Sequence, residues 1–143
     1  DMVAGNLGKT NKLYRGDISV LGTSVGSESD YTYSVAIADV DGDGDMDVVA
    51  GNYEQTNKLY LNDGSGNFAS SGIDIGSETD KTESIALADV DSDGDIDIML
   101  INNGDPKLPA GSYLRNNGSM QFTFVKAAKG SNTQRLPQSA FKK

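Results

Sequence analysis

The sequence predicts an all-β protein built from β-propeller blades of four antiparallel strands, with about three blades in the chain. Three observations carry this. A block of about fifty residues recurs along most of the 143 residues. Apolar residues fall in short runs bounded by Gly, Asn, Asp and Ser, the pattern of many short strands. Seventeen glycines supply turns, and no stretch sustains a helical period.

The repeat is legible residue by residue. Asp1-Met-Val-Ala-Gly-Asn6 and Thr10-Asn-Lys-Leu-Tyr14 return as Asp47-Val-Val-Ala-Gly-Asn52 and Thr56-Asn-Lys-Leu-Tyr60, an offset of 46. Gly26-Ser-Glu-Ser-Asp30 and Val35-Ala-Ile-Ala-Asp-Val40 return as Gly76-Ser-Glu-Thr-Asp80 and Ile85-Ala-Leu-Ala-Asp-Val90, an offset of 50. Tyr113-Leu-Arg-Asn-Asn-Gly-Ser119 aligns with Leu59-Tyr-Leu-Asn-Asp-Gly-Ser65 at an offset of 54, so four extra residues enter that connection.

Each repeat reads as four strands. The first, near 34–40, mixes β-branched and small residues and suits a crowded innermost position buried on both faces. The second, near 46–52, is continuously apolar, as a strand covered on both faces should be. The third, near 57–62, alternates Lys58, Tyr60 and Asn62 with Leu59 and Leu61 and is half exposed. A tight hairpin, Asn62-Asp-Gly-Ser-Gly-Asn67, leads to the fourth, near 68–75. Four strands every 40–50 residues is the arithmetic of a propeller blade.

The blades divide the chain into a partial unit at 1–33, full units at 34–83 and 84–126, and a tail at 127–143. Eleven strands follow from this division, too few for a closed ring of four to eight blades. The tail, with Pro137, reads as a degenerate first strand that completes the partial unit, or as a segment outside the ring. A homodimer closing a six-bladed ring is the simplest symmetric solution, and membership of a longer propeller is the alternative.

Composition removes several function classes. Net charge is −9 and the basic residues are scattered, which argues against nucleic acid and anionic membranes as partners. There is no apolar run of membrane-spanning length. The chain has no cysteine and no histidine, so disulfides, thiolate metal sites and imidazole catalysis are excluded. Asp1 is not preceded by Met, so the missing leader sequence decides nothing.

The acidity is concentrated. Asp39-Val-Asp-Gly-Asp-Gly-Asp-Met-Asp47 and Asp89-Val-Asp-Ser-Asp-Gly-Asp-Ile-Asp97 hold ten of the 21 acidic residues. Carboxylates at positions 1, 3, 5 and 9 of a nine-residue loop surround a point, and the backbone carbonyl of position 7 joins them. Hard oxygen donors of this kind suit Ca²⁺, and less well Mg²⁺, which keeps stricter octahedral geometry. The two expected calcium sites are therefore Asp39, Asp41, Asp43, Asp47 with the carbonyl of Asp45, and Asp89, Asp91, Asp93, Asp97 with the carbonyl of Asp95. Gly44 and Gly94 permit the sharp reversal. An EF-hand shares the opening motif but needs Glu at position 12 between helices, where this chain has Ala50 and Leu100 between strands. A solvated acidic turn is the plain alternative. Asp1 occupies position 9 of a third such loop and is a doubtful ligand.

Strand–D-x-D-x-D-G-x-x-D–strand in a repeat of this length resembles the FG-GAP/VCBS repeats of integrin-α-type propellers, over roughly residues 1–126. The stretch Asn57-Lys-Leu-Tyr-Leu-Asn-Asp-Gly-Ser-Gly-Asn-Phe68 is similar to the region after the calcium loop in bacterial members. The resemblance implies that the loop joins the first two strands of a blade and binds Ca²⁺, and that the protein is secreted or on the cell surface.

The calcium loops fall at one end of the strands. The longer connections, with Tyr31, Tyr33, Pro106 and Pro109, fall at the other, where a ligand face is expected. The function expected is a non-catalytic calcium-binding adhesion or binding module, with a protein or carbohydrate partner. The alternative is the propeller portion of a secreted polysaccharide-degrading enzyme. For that reading Glu28 and Glu78 form a candidate acid/base pair, although equivalent positions of neighbouring repeats are more simply turn residues. Arg15-Gly-Asp17 spells an adhesion tripeptide by chance of composition. Asn117-Gly-Ser119 is a formal glycosylation acceptor, and Tyr14, Tyr60 and Tyr113 serve packing.

Overall fold

The computed structural model describes residues 1–16, 22–76, 79, 81–102 and 113–125. Among these residues the protein is all-β, with eleven strands and no helix. The strands are β1 (Met2–Ala4), β2 (Asn11–Tyr14), β3 (Thr23–Val25), β4 (Thr32–Ala38), β5 (Asp47–Asn52), β6 (Asn57–Tyr60), β7 (Ile73–Ile75), β8 (Thr82–Ala88), β9 (Asp97–Asn102), β10 (Tyr113–Arg115) and β11 (Thr123–Val125). They form three separate antiparallel sheets ordered β1-β2-β3, β4-β5-β6-β7 and β8-β9-β10-β11. This is the up-and-down connectivity of propeller blades, none of them closed into a barrel.

The register repeats with the sequence. Val48 lies opposite Tyr60 in the second sheet, and Ile98 lies opposite Leu114 in the third. β4 and β8 each shift register after their first residue, between Thr32 and Ser34 and between Thr82 and Ser84. That shift turns Thr32 and Val35 toward Gly5 of the first sheet, and Thr82 and Ile85 toward Gly51 of the second. A Cβ at Gly51 would come within 2.8 Å of both side chains, so glycine lets neighbouring sheets stack closely.

Three strands differ from the sequence-based reading. The third strand of the second sheet ends at Tyr60 rather than at 62 and is buried apart from Lys58 instead of half exposed, because Tyr60 packs between the first and second sheets. The first strand of the second sheet runs Thr32–Ala38 rather than 34–40, because the carboxylate loop captures the backbone N–H groups from Val40 onward. It is also an edge strand, so Tyr33 and Ile37 stay about half exposed instead of being buried on both faces. The fourth strand shortens to Ile73–Ile75, and Phe68 keeps only an isolated bridge to Asn62 across the glycine-rich hairpin. β5 is buried along its whole length, as its apolar run predicts.

The core lies between the second and third sheets, where Val49, Leu59, Ile75, Ile85 and Ile98 pack together. Val40 is 3 % exposed beneath this junction, whereas its repeat equivalent Val90 is 42 % exposed on the outer side of the third sheet. Tyr60, placed by sequence in packing, sits in a second cluster with Leu13, Val25 and Val48. The tail at 127–143, with its proposed completing strand, and Pro106 and Pro109 lie outside the described residues.

Candidate metal centre

Each acidic loop follows a first strand and turns back into a second. The loop of residues 39–46 is shaped by its own carboxylates. Asp39 accepts the N–H groups of Gly42 at 2.8 Å and Gly44 at 3.0 Å, Asp41 accepts that of Asp43, and Asp43 accepts that of Asp45. This wrapping needs left-handed backbone at positions 4 and 6. Gly42 and Gly44 supply it at φ 79° and 97°. In the second loop Gly94 stands at φ 98°, but position 4 is Ser92 at φ 64°, a conformation that costs a side-chain-bearing residue free energy.

The carboxylates converge. Oxygens of Asp39, Asp41 and Asp43 lie within 4.8 Å of one another, as do those of Asp89, Asp91 and Asp97. These two clusters can hold a metal ion, and their donor set is entirely hard oxygen. Asp45 and Asp95 do not join the convergent groups. Their side chains lie over Gly64 and Gly118 of the adjoining hairpins, where an added Cβ would meet them at 2.7 and 2.8 Å.

Position 9 has a role that spacing did not reveal. Asp47 is fully buried; its Oδ2 accepts the N–H of Val40 and its Oδ1 the N–H of Asn62, both at 2.9 Å. Asp97 repeats the arrangement with Val90 and Asn116. One carboxylate thus ties the start of the loop to the end of the third strand. Burial pushes the Asp47 carboxyl above its ordinary range, and the two N–H bonds only partly offset it. Asp1 makes half of this tie, accepting the N–H of Gly16 at 2.9 Å.

The loops differ in their surroundings. Arg115, at the end of β10, places Nε 2.6 Å from Asp91 Oδ2 and Nη2 2.9 Å from Asp93 Oδ2. The hydrogen bond from Arg115 holds Asp93 below the usual carboxylate range. Desolvation lifts Asp91 above it, although Arg115 pulls the other way. Among the described residues no ion pair reaches Asp39, Asp41 or Asp43.

Residues 39–100 match the FG-GAP-like repeat. The matched segment runs from the first acidic loop into β9, in keeping with the FG-GAP/VCBS resemblance. No curated protein and no solved structure matched the chain. The FG-GAP-like segment contains both loops and Asn62, which pins the first, while Asn116, which pins the second, lies beyond it; the loops are an integral part of the repeat rather than an appended surface feature.

At the other end of the FG-GAP-like strands a polar relay joins the sheets. Asn57 donates from Nδ2 to Thr82 Oγ1 at 3.1 Å, and Thr82 donates to Asn102 Oδ1 at 2.9 Å. Asn11, Thr32 and Asn52 form the same chain between the first two sheets. The recurrence of Gly-Asn and Thr-Asn-Lys-Leu-Tyr in the sequence was the available signal. Glu28 is committed to structure, accepting the N–H of Gly72 at 2.9 Å and the hydroxyl of Tyr60 at 3.1 Å. Glu78, its proposed catalytic partner, lies outside the described residues, as does Asp17.

Proposed function

We propose that this protein is a non-catalytic, calcium-binding propeller module that recognises a protein or glycan outside the cell. The convergence of three carboxylates in each D-x-D-x-D-G loop carries the reading. Calcium suits it because every available donor is a carboxylate or carbonyl oxygen, and the chain has neither histidine nor cysteine to favour a softer metal. Asp39, Asp41 and Asp43 would hold one ion and Asp89, Asp91 and Asp97 the other, with Asp47, Asp93 and the carbonyls of Asp45 and Asp95 completing the sets. Two divalent ions would reduce the net charge from −9 to −5. Their contribution is structural: they offset repulsion within a loop that connects two buried strands.

Recognition then belongs to the opposite end, where Tyr31 and Tyr33 are about half exposed and Tyr33 stacks on Tyr53 with ring centroids 4.8 Å apart. Ring completion by a second copy fits the uncovered apolar surface at Val90 and Ile101. Light scattering in calcium would return a dimer, and a stable monomer would end that part of the proposal.

Thermal unfolding with calcium and with chelator tests the central reading. Binding to the folded state alone stabilises it by about 2.7 kcal/mol at a hundredfold excess over Kd. An unchanged midpoint in chelator would refute calcium binding.

A further inference from the structure

The two acidic loops are equal in sequence pattern but unequal in charge environment, and the difference traces to one residue of the third strand. The backbone register aligns Leu61 with Arg115, since Asn62 and Asn116, the next residues, donate to the equivalent Asp47 and Asp97. Leu61 packs against the apolar core. Arg115 instead turns over its loop and bridges two of its carboxylates, with its own side chain 47 % exposed. A guanidinium contacting Asp91 and Asp93 together occupies the region between them that a cation would take, and its planar fork suits two carboxylates at once.

A second difference accompanies this one. The position-5 carboxylate, Asp43, converges with its neighbours in the first loop, but its equivalent Asp93 is not in the convergent group of the second. Asp93 Oδ2 is bonded to Arg115. Of the two carboxylates Arg115 holds, Asp91 stays in the convergent group and Asp93 does not.

We propose that Arg115 is a built-in counter-cation for the loop at 89–97, one that an incoming divalent ion must displace. This rests on the calcium reading above and adds a ranking to it. The loop at 39–47 fills first, and the loop at 89–97 fills at higher calcium. With the ion absent, Arg115 keeps the second loop neutralised in part, while among the described residues the first has only backbone N–H partners for Asp39, Asp41 and Asp43. Exposed ion pairs are weak individually, so releasing two weakens the second site by roughly two- to thirtyfold.

Calorimetric titration of the chelator-treated protein with calcium chloride tests this, using Arg115→Leu and the reciprocal Leu61→Arg. Wild type should show two unequal sites. Arg115→Leu should tighten the weaker site by that factor, and Leu61→Arg should weaken the tighter one. Arg115→Gln, which keeps a polar side chain but no charge, should follow Arg115→Leu. In chelator, removing Arg115 should lower the melting midpoint, whereas in saturating calcium the difference should shrink or reverse, a crossover that simple packing loss would not produce. Two equal sites in wild type that Arg115→Leu leaves unchanged would overturn the role of Arg115 and leave calcium binding standing. No binding by any variant would overturn both.

Discussion

Replacing Asp47 separates the structural work of the acidic loop from its metal chemistry. Asp47→Ala removes both acceptors and leaves the N–H groups of Val40 and Asn62 without partners at a fully buried position. Hydrogen bonds to a charged acceptor contribute about 1.5–3 kcal/mol each, so the loss should approach about 3–6 kcal/mol. Asp47→Asn keeps one oxygen acceptor and turns an amide group toward the other N–H. One bond is lost, but the burial that pushes the Asp47 carboxyl upward no longer opposes folding at neutral pH, giving a net cost of about 1–2 kcal/mol. Urea unfolding in chelator at neutral pH reads these costs with no ion present. Asp1→Asn, at an exposed position with only one such bond, is the control and should change stability by less than about 0.5 kcal/mol. If Asp47→Asn and Asp1→Asn were equally mild in chelator, position 9 would be a metal ligand and nothing more, and the pinning argument would fail.

Three further outcomes follow from the same geometry. Thr82→Val preserves shape but breaks the relay from Asn57 to Asn102, and should lower stability in urea by about 1–3 kcal/mol. Ser92→Gly should raise the melting midpoint, since the left-handed backbone at φ 64° costs a non-glycine residue about 1–2 kcal/mol; a lower midpoint would mean the Ser92 side chain makes a compensating bond. Glu28 is pushed up by burial, but the N–H of Gly72 and the Tyr60 hydroxyl outweigh this and leave it below its ordinary value of 4.5. Its stabilisation is therefore complete above about pH 4.5 and lost as pH falls through the folded value, so Glu28→Gln should flatten the acid limb of the stability curve measured in chelator.

Much of the fold was legible because the repeat supplies its own controls. A strand seen once is ambiguous, but Val35-Ala-Ile-Ala and Ile85-Ala-Leu-Ala in equivalent settings fix both strand type and order. The acidic loops were legible for the same reason. What escaped the sequence depended on contacts between strands. The bond from Asn62 to Asp47 crosses 15 residues and that from Asn116 to Val40 crosses 76, and neither has a local signature. Arg115 was visible only as a charged residue where Leu61 stands, and its meaning required the register that carries it over Asp91 and Asp93. Strand limits moved where a loop or hairpin captured backbone groups that the apolar pattern alone assigned to the sheet.

The pinning role and the proposed chelating role fall on the same motif, and their difference in burial implies an order of events. Asp47 and Asp97 are fully buried and bonded to N–H groups of two strand segments, so these bonds form as the sheet forms. Asp39, Asp41 and Asp43 keep contact with solvent and, among the described residues, bond only within their own loop, so their convergence costs little further rearrangement once the sheet is set. A folded loop that already gathers its carboxylates lowers the ordering cost of ion capture. On the proposed reading, an ion would act on a preassembled site and would stabilise the sheet by mass action rather than by building it. Arg115 achieves part of that neutralisation from within the chain, which is why the two loops should divide the calcium range between them.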